Sequence, residues 1–99
     1  MITERFMFTE VWIKRLSPDY KGVYIFFNHC GEILYIGKSG KSILSDLLNH
    51  VANYPDNQKI SYFSLQFELN PTKKATDLLN AYSEVYNRLP VMNEFYVKV

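Results

Sequence analysis

The chain holds a single cysteine, Cys30, so no disulfide can form within it, and no cysteine–histidine spacing suits a zinc site. Glycine and proline are sparse, at four each, and the net charge is only +1, a balance that argues against a disordered chain. No apolar run approaches the length needed to span a bilayer. The opening stretch MITERFMFTE lacks the apolar centre of a secretory signal, so the expectation is a soluble, cytoplasmic protein with no membrane partner. Eleven basic against ten acidic residues is not the balance of a protein that coats nucleic acid, whose binding draws on cationic side chains releasing counterions. A local basic face is still open to Lys38, Lys41, Lys73 and Lys74, which flank predicted helix starts, although lysines singly are most often plain solvated surface.

What the chain does have is apolar and aromatic material. Of 99 residues, 47% are hydrophobic, including eight tyrosines and seven phenylalanines, enough for the core of one small domain over residues 1–99. FMFTEVWIKRL reads equally as a strand or a short helix, with Phe6, Phe8 and Trp12 expected to pack one end of a sheet, and SPDYKG breaks it. GVYIFFN and EILYIGK are rich in β-branched and aromatic residues, and NHCG between them ends in a glycine suited to a left-handed turn. Together they predict a β-hairpin. From Ser42 the period changes: Ile43, Leu44, Leu47, Leu48 and Val51 recur at helical spacing through SILSDLLNHVANY, and YPDNQ closes that helix.

In ISYFSLQFEL, Phe63, Leu65, Phe67 and Leu69 alternate with polar neighbours, as in a half-buried strand. Asn70 and Pro71 suit the cap and first position of a second helix, with Ala75, Leu78, Leu79, Tyr82, Val85 and Tyr86 as its buried stripe. Pro90 ends it, and EFYVKV adds a candidate last strand. The expectation is an α/β (α+β) sandwich of order β-β-α-β-α, a sheet of about three antiparallel or mixed strands flanked by helices.

GKSGKS between a strand and a helix invites a phosphate-loop reading. That loop needs a glycine five residues before its Gly-Lys-Ser, opening a wide turn whose amides face phosphate. Glu32 and Tyr35 occupy those positions, and Gly31 belongs to the hairpin turn, so the reading is discarded.

The tyrosines are more informative. Tyr24 and Tyr35 lie on adjacent predicted strands where alternation lets both project to one face, although packed aromatics would show the same pattern. Gly22-Val23-Tyr24, followed by Tyr35-Ile36-Gly37-Lys38, resembles the double motif of the GIY-YIG nucleases. The likeness runs on through a helix, a strand, a second helix and Pro90 followed by Asn93, thus from Gly22 to Asn93.

The resemblance implies a DNA endonuclease using one divalent cation, Mg2+ or Mn2+. A motif tyrosine would activate water or position the phosphate, an arginine on the first helix would stabilise phosphate charge, and a glutamate on the second would hold the metal. Cleavage of this kind is mostly positioning plus electrostatics, so the cation and metal carry much of it. Tyr24, Tyr35, His50 and Asn93 fall in the family's catalytic register, and Lys38 and Lys41 are the candidate DNA-binding residues. The arginine position falls on Asp46, or on Ser45 without a one-residue allowance, and the three arginines (Arg5, Arg15, Arg88) all lie elsewhere. The glutamate position falls on Ala81. Glu84 is the nearest carboxylate substitute on that helix, though close to Pro90, and Asp46 is the other acid available.

Three functions follow. One is a GIY-YIG-like domain that has lost its cutting groups and binds DNA, weakly and without sequence preference, or a protein partner. Another is an active metal-dependent endonuclease with a rearranged site. The third is a pure protein-interaction module. The near-neutral charge favours the last and the lysines at the helix starts favour the first. His29 and Cys30 share the hairpin turn without partners at ligand spacing and read as turn residues.

Overall fold

The structure, a computed structural model, describes residues 4–53 and 59–96. Its elements in chain order are β1 (Phe6–Met7), α1 (Glu10–Leu16), β2 (Gly22–Phe27), β3 (Ile33–Ser39), α2 (Ile43–Asn53), β4 (Tyr62–Phe67), α3 (Pro71–Tyr86) and α4 (Val91–Tyr96). The ambiguous first segment is both things in turn. Thr9 separates them: its hydroxyl accepts from the Trp12 amide at 3.3 Å and caps α1, so the chain leaves β1 and enters a helix within two residues.

The four strands form one antiparallel sheet in the order β1-β4-β2-β3, one strand more than the sequence led us to expect. Two strands are the hairpin; the third, β4, inserts between β1 and β2 and is therefore central. That position explains why its alternation is only partly realised. Phe63 and Ser64, pointing to opposite faces, are both fully buried where β1 and β2 flank them, and the Ser64 hydroxyl donates to the Glu4 carbonyl. Phe67, by contrast, is exposed beyond the end of β1 and packs its ring on Tyr20 at 5.0 Å, while Leu69 lies past the strand.

Both faces of the sheet are covered. Tyr24, Phe26 and Phe63 join Ile13 of α1, Ile43 and Leu47 of α2, and Met92 of α4 in the larger core. Phe6 and Phe8 pack there through ring contacts with Phe63 and Phe26, whereas Trp12, 37% exposed, lies beside Arg15 and outside that core. On the opposite face Ile25, Phe27 and Ile36 meet Leu78, Leu79 and Tyr82 of α3. Each of these two faces hides apolar side chains from water, the main favourable term in holding such layers together.

The α3 stripe holds only in part. Ala75 is buried and Leu78, Leu79 and Tyr82 pack on the sheet, but Val85 and Tyr86 are 73% and 57% exposed. Val85 lies on the flank of the stripe, and Tyr86 stands over a cavity rather than over strand. The expected last strand is not one: residues 91–96 form α4, and 97–99 lie outside the described residues. Pro90 starts that helix, its carbonyl accepting from the amides of Asn93 and Glu94. The YPDNQ turn also lies outside the described residues. No helix among the described residues is long and apolar enough to cross a membrane.

Candidate functional site

Strand register brings the two motif tyrosines together. Tyr24 pairs with Gly37 and Phe26 with Tyr35, so Tyr24 and Tyr35 are diagonal neighbours on one face, their ring centroids 6.1 Å apart. A bulge sets this register. Between Phe26 and Phe27 the pairing slips by one, leaving Leu34 unpaired, so that Ile33 packs with the α3 face while Leu34 and Tyr35 turn to the other.

Gly37 makes room for both rings. A Cβ there would stand 2.5 Å from Tyr24 Cε1 and 2.5 Å from Tyr35 Cε2, too close for any side chain. Its backbone has no left-handed torsion, so the requirement is space alone. The positive φ of the hairpin belongs to Gly31, at 83°. There the Asn28 side chain ties the turn by accepting from the amides of Cys30 and Glu32.

The third member comes from α2. Ser39 and Ser42 set its start: the Ser39 hydroxyl accepts from the amides of Lys41 and Ser42, and the Ser42 hydroxyl accepts from Ser45 at 3.0 Å. The amides of Ile43 and Leu44 donate to the carbonyls of Tyr20 and Pro18. The amides a phosphate loop would present are thus already bonded within the protein. Two turns on, the His50 ring lies 6.0 Å from Tyr24, 5.7 Å from Tyr35 and 5.0 Å from Phe26. Phe26 is the member that sequence reasoning passed over. Its place two residues after Tyr24, opposite Tyr35, was the available signal.

The cluster is half dry, and its electrostatics follow from that. Burial pushes the Tyr24 hydroxyl far above the ordinary tyrosine range, with Tyr35 and Asp46 adding to the shift. Burial also lowers the His50 imidazole below its usual value, and the Asp46 carboxylate partly opposes it. At neutral pH the centre therefore offers a neutral tyrosine hydroxyl and a neutral imidazole beside one carboxylate.

Asn93 does something different from its neighbours. It is 2% exposed, and its side chain spans the peptide groups of Ile36: Oδ1 accepts from Ile36 N at 2.8 Å, and Nδ2 donates to Ile36 O at 2.8 Å. Ile36 lies in β3, the outer strand, so Asn93 occupies the place of the next strand's backbone and closes that edge. It holds the Tyr35-Ile36-Gly37 segment in position.

The remaining candidates do not join the cluster. By alternation Lys38 projects to the α3 face, where its ammonium donates to Thr72 Oγ1 at 3.3 Å. Lys41 is exposed in the loop before α2. Ala81 and Glu84 are both exposed on α3, the helix on the other side of the sheet. His29 and Cys30 touch each other in the exposed turn, with Sγ 3.4 Å from Nε2.

The donor set does not fit a divalent cation at the cluster. Magnesium and its like are held through carboxylate oxygens, and the one acid that faces these rings is Asp46. Among the described residues no three His, Cys, Asp or Glu side chains are grouped to hold a metal. No family model matches the chain, and neither a curated protein nor a solved structure does.

Proposed function

We propose that this chain is a GIY-YIG-type domain that keeps the tyrosine–histidine centre of those nucleases without the groups that cut, and that it acts by binding DNA. The observation that carries this reading is the convergence of Tyr24, Tyr35 and His50 over Gly37. These are three of the four catalytic residues the resemblance names, drawn from two strands and a helix; the fourth, Asn93, bonds the Ile36 backbone instead. The antiparallel hairpin followed by a helix, a strand and a second helix supports the same scaffold.

Cleavage is a different matter. A general base works best with a pKa near the working pH, and Tyr24 is driven the opposite way. The transferring phosphoryl group needs fixed positive charge, and Asp46 puts negative charge beside these rings instead. Loss of a well-placed stabilising cation costs on the order of 10³-fold or more in phosphoryl transfer. Ala81, in the glutamate position of the resemblance, lies across the sheet from these rings, so no step through a metal can be derived from the residues of the centre.

Binding rests on the exposed Lys41 before α2, and the low net charge of +1 makes it weak. The test is fluorescence anisotropy with a labelled duplex at several salt concentrations. Affinity should fall steeply with salt and vary little with sequence. Asp46→Arg should raise affinity at low salt on the order of tenfold and steepen the salt slope by about one, as an added phosphate contact does. Ala81→Arg, on the far side of the sheet, should change the affinity less. An absence of binding even at low salt would remove the DNA reading and leave the protein-interaction module in its place.

A further inference from the structure

On the α3 side of the sheet, away from the tyrosine–histidine centre, a cavity of about 450 Å³ opens between the hairpin tip and the last turns of α3. Its size lies within the usual range for small-molecule sites, roughly 300–1,000 Å³. Two guanidinium groups line it, and aromatic faces hold both. Arg5 lies over the Phe27 ring at 4.3 Å and Arg88 beside the Tyr82 ring at 5.9 Å. Gly31 leaves space for the first: a Cβ there would stand 2.8 Å from Arg5 Nη1. Among the described residues the ion pairs are Lys14–Glu10 and Lys73–Asp77, and neither guanidinium takes part in one. Arg88 gives one donor to the Leu89 carbonyl at 3.2 Å, and the remaining donors of a five-donor group are left for something else.

The rest of the lining is as informative. Tyr86, more than half exposed, lies against Tyr82 with ring centroids 4.5 Å apart and planes tilted by 36°, so aromatic surface lines the opening. Glu32 also lines the cavity, its carboxylate fixed by a 2.8 Å bond from the Asn28 amide. Positive forks suit phosphate oxygens, the aromatic surface suits a planar ring, and the fixed carboxylate accepts from an amino group on that ring. We propose that this cavity is a binding site for a nucleoside monophosphate carrying an amino-substituted base, with its phosphate on Arg5 and Arg88, its ring against Tyr86, and its exocyclic amine toward Glu32. The site uses none of the residues of the DNA-binding proposal and stands whether or not that proposal does.

The chain supplies its own reporter, because Cys30 is its one cysteine, is exposed, and lines this cavity. Calorimetric titration with adenosine monophosphate, adenosine and inorganic phosphate gives affinities, and the rate of Cys30 alkylation by a maleimide gives the place. Adenosine monophosphate should bind and slow the alkylation. Adenosine and phosphate, each lacking half of the recognised chemistry, should both bind more weakly. Arg88→Gln and Arg5→Gln should each weaken adenosine monophosphate on the order of tenfold, the loss of one charge-assisted bond, and Tyr86→Leu should weaken it too. Circular dichroism checks that each variant is folded, and Arg88 and Tyr86 are exposed enough to change safely. Binding that leaves Cys30 unprotected, adenosine binding as tight as its monophosphate, folded variants with unchanged affinity, or no binding at all would each overturn the assignment.

Discussion

Asn93 gives the sharpest prediction about how the centre is held. Its two 2.8 Å bonds satisfy both the amide and the carbonyl of Ile36 on an otherwise open strand edge, in a place almost closed to water. Asn93→Leu keeps the branched outline of four heavy side-chain atoms, removes both bonds and shuts water out, so two backbone polar groups lose their partners. Each such group costs about 1–3 kcal/mol, giving roughly 2–6 kcal/mol for the pair. In a domain of this size each kcal/mol moves the melting temperature by about 4–8 °C, so the drop should run from about 8 °C upward.

Asn93→Ala leaves a hole that water can enter, and its loss should fall at the lower end of that range. Thermal melts followed by circular dichroism measure both. Amide exchange adds a local reading, since the Ile36 N–H should lose most of its protection in either variant. If the Leu variant melts close to the unaltered protein, the bonds contribute little and Asn93 is not what fixes Tyr35 and Gly37.

Gly37→Ala should destabilise by about 1–3 kcal/mol, because its Cβ meets two tyrosine rings, one of them buried; Lys38→Ala next to it should cost within about 0.5 kcal/mol. Equal urea midpoints for the two would contradict the close packing at Gly37. His50, with its pKa lowered from 6.5, binds protons less readily folded than unfolded. Its contribution to stability is therefore full above about pH 6.5 and is lost as pH falls below that, and His50→Gln should flatten this part of the urea-midpoint profile. A profile unchanged by the substitution would show that His50 is not desolvated. For DNA, Asp46→Arg should raise anisotropy-measured affinity at low salt, and an unchanged or weaker affinity would place the contact surface elsewhere.

Much of the fold was legible in the sequence because period and punctuation agreed. The hairpin, α2 and α3 each carried a hydrophobic repeat and a turn or cap signal, and Gly31 and Asn70 do what their positions implied. What was not legible depended on long-range pairing. Nothing local in TERFMFTEV says that two residues of it will pair with β4, and that pairing is what makes β4 central and buries Ser64. The exposure of Tyr86 likewise reflects a cavity at the tip of the hairpin, which no helical repeat can announce.

At the site, strand alternation allowed Tyr24 and Tyr35 to share a face, and the same rule, applied three residues on from Tyr35, sends Lys38 to the opposite one. Asn93 sits 57 residues from its partner, so its work as an edge clamp was out of reach of spacing arguments. The bulge at Leu34, on which the register of Tyr35 depends, carries no sequence mark that we recognise.

The central claim is that the tyrosine–histidine centre is preserved while the cutting apparatus is not. Its most direct test is the conversion of supercoiled plasmid to open circle by purified protein with magnesium or manganese, with chelator and Tyr35→Phe as controls. The proposal predicts no metal-dependent nicking above the level of the Tyr35→Phe variant, because Asp46 puts negative charge beside the rings and, among the described residues, no three His, Cys, Asp or Glu side chains are grouped to hold a metal. Robust nicking by the unaltered protein, lost with chelator and lost in Tyr35→Phe, would contradict it and show that a different set of charged groups completes the site.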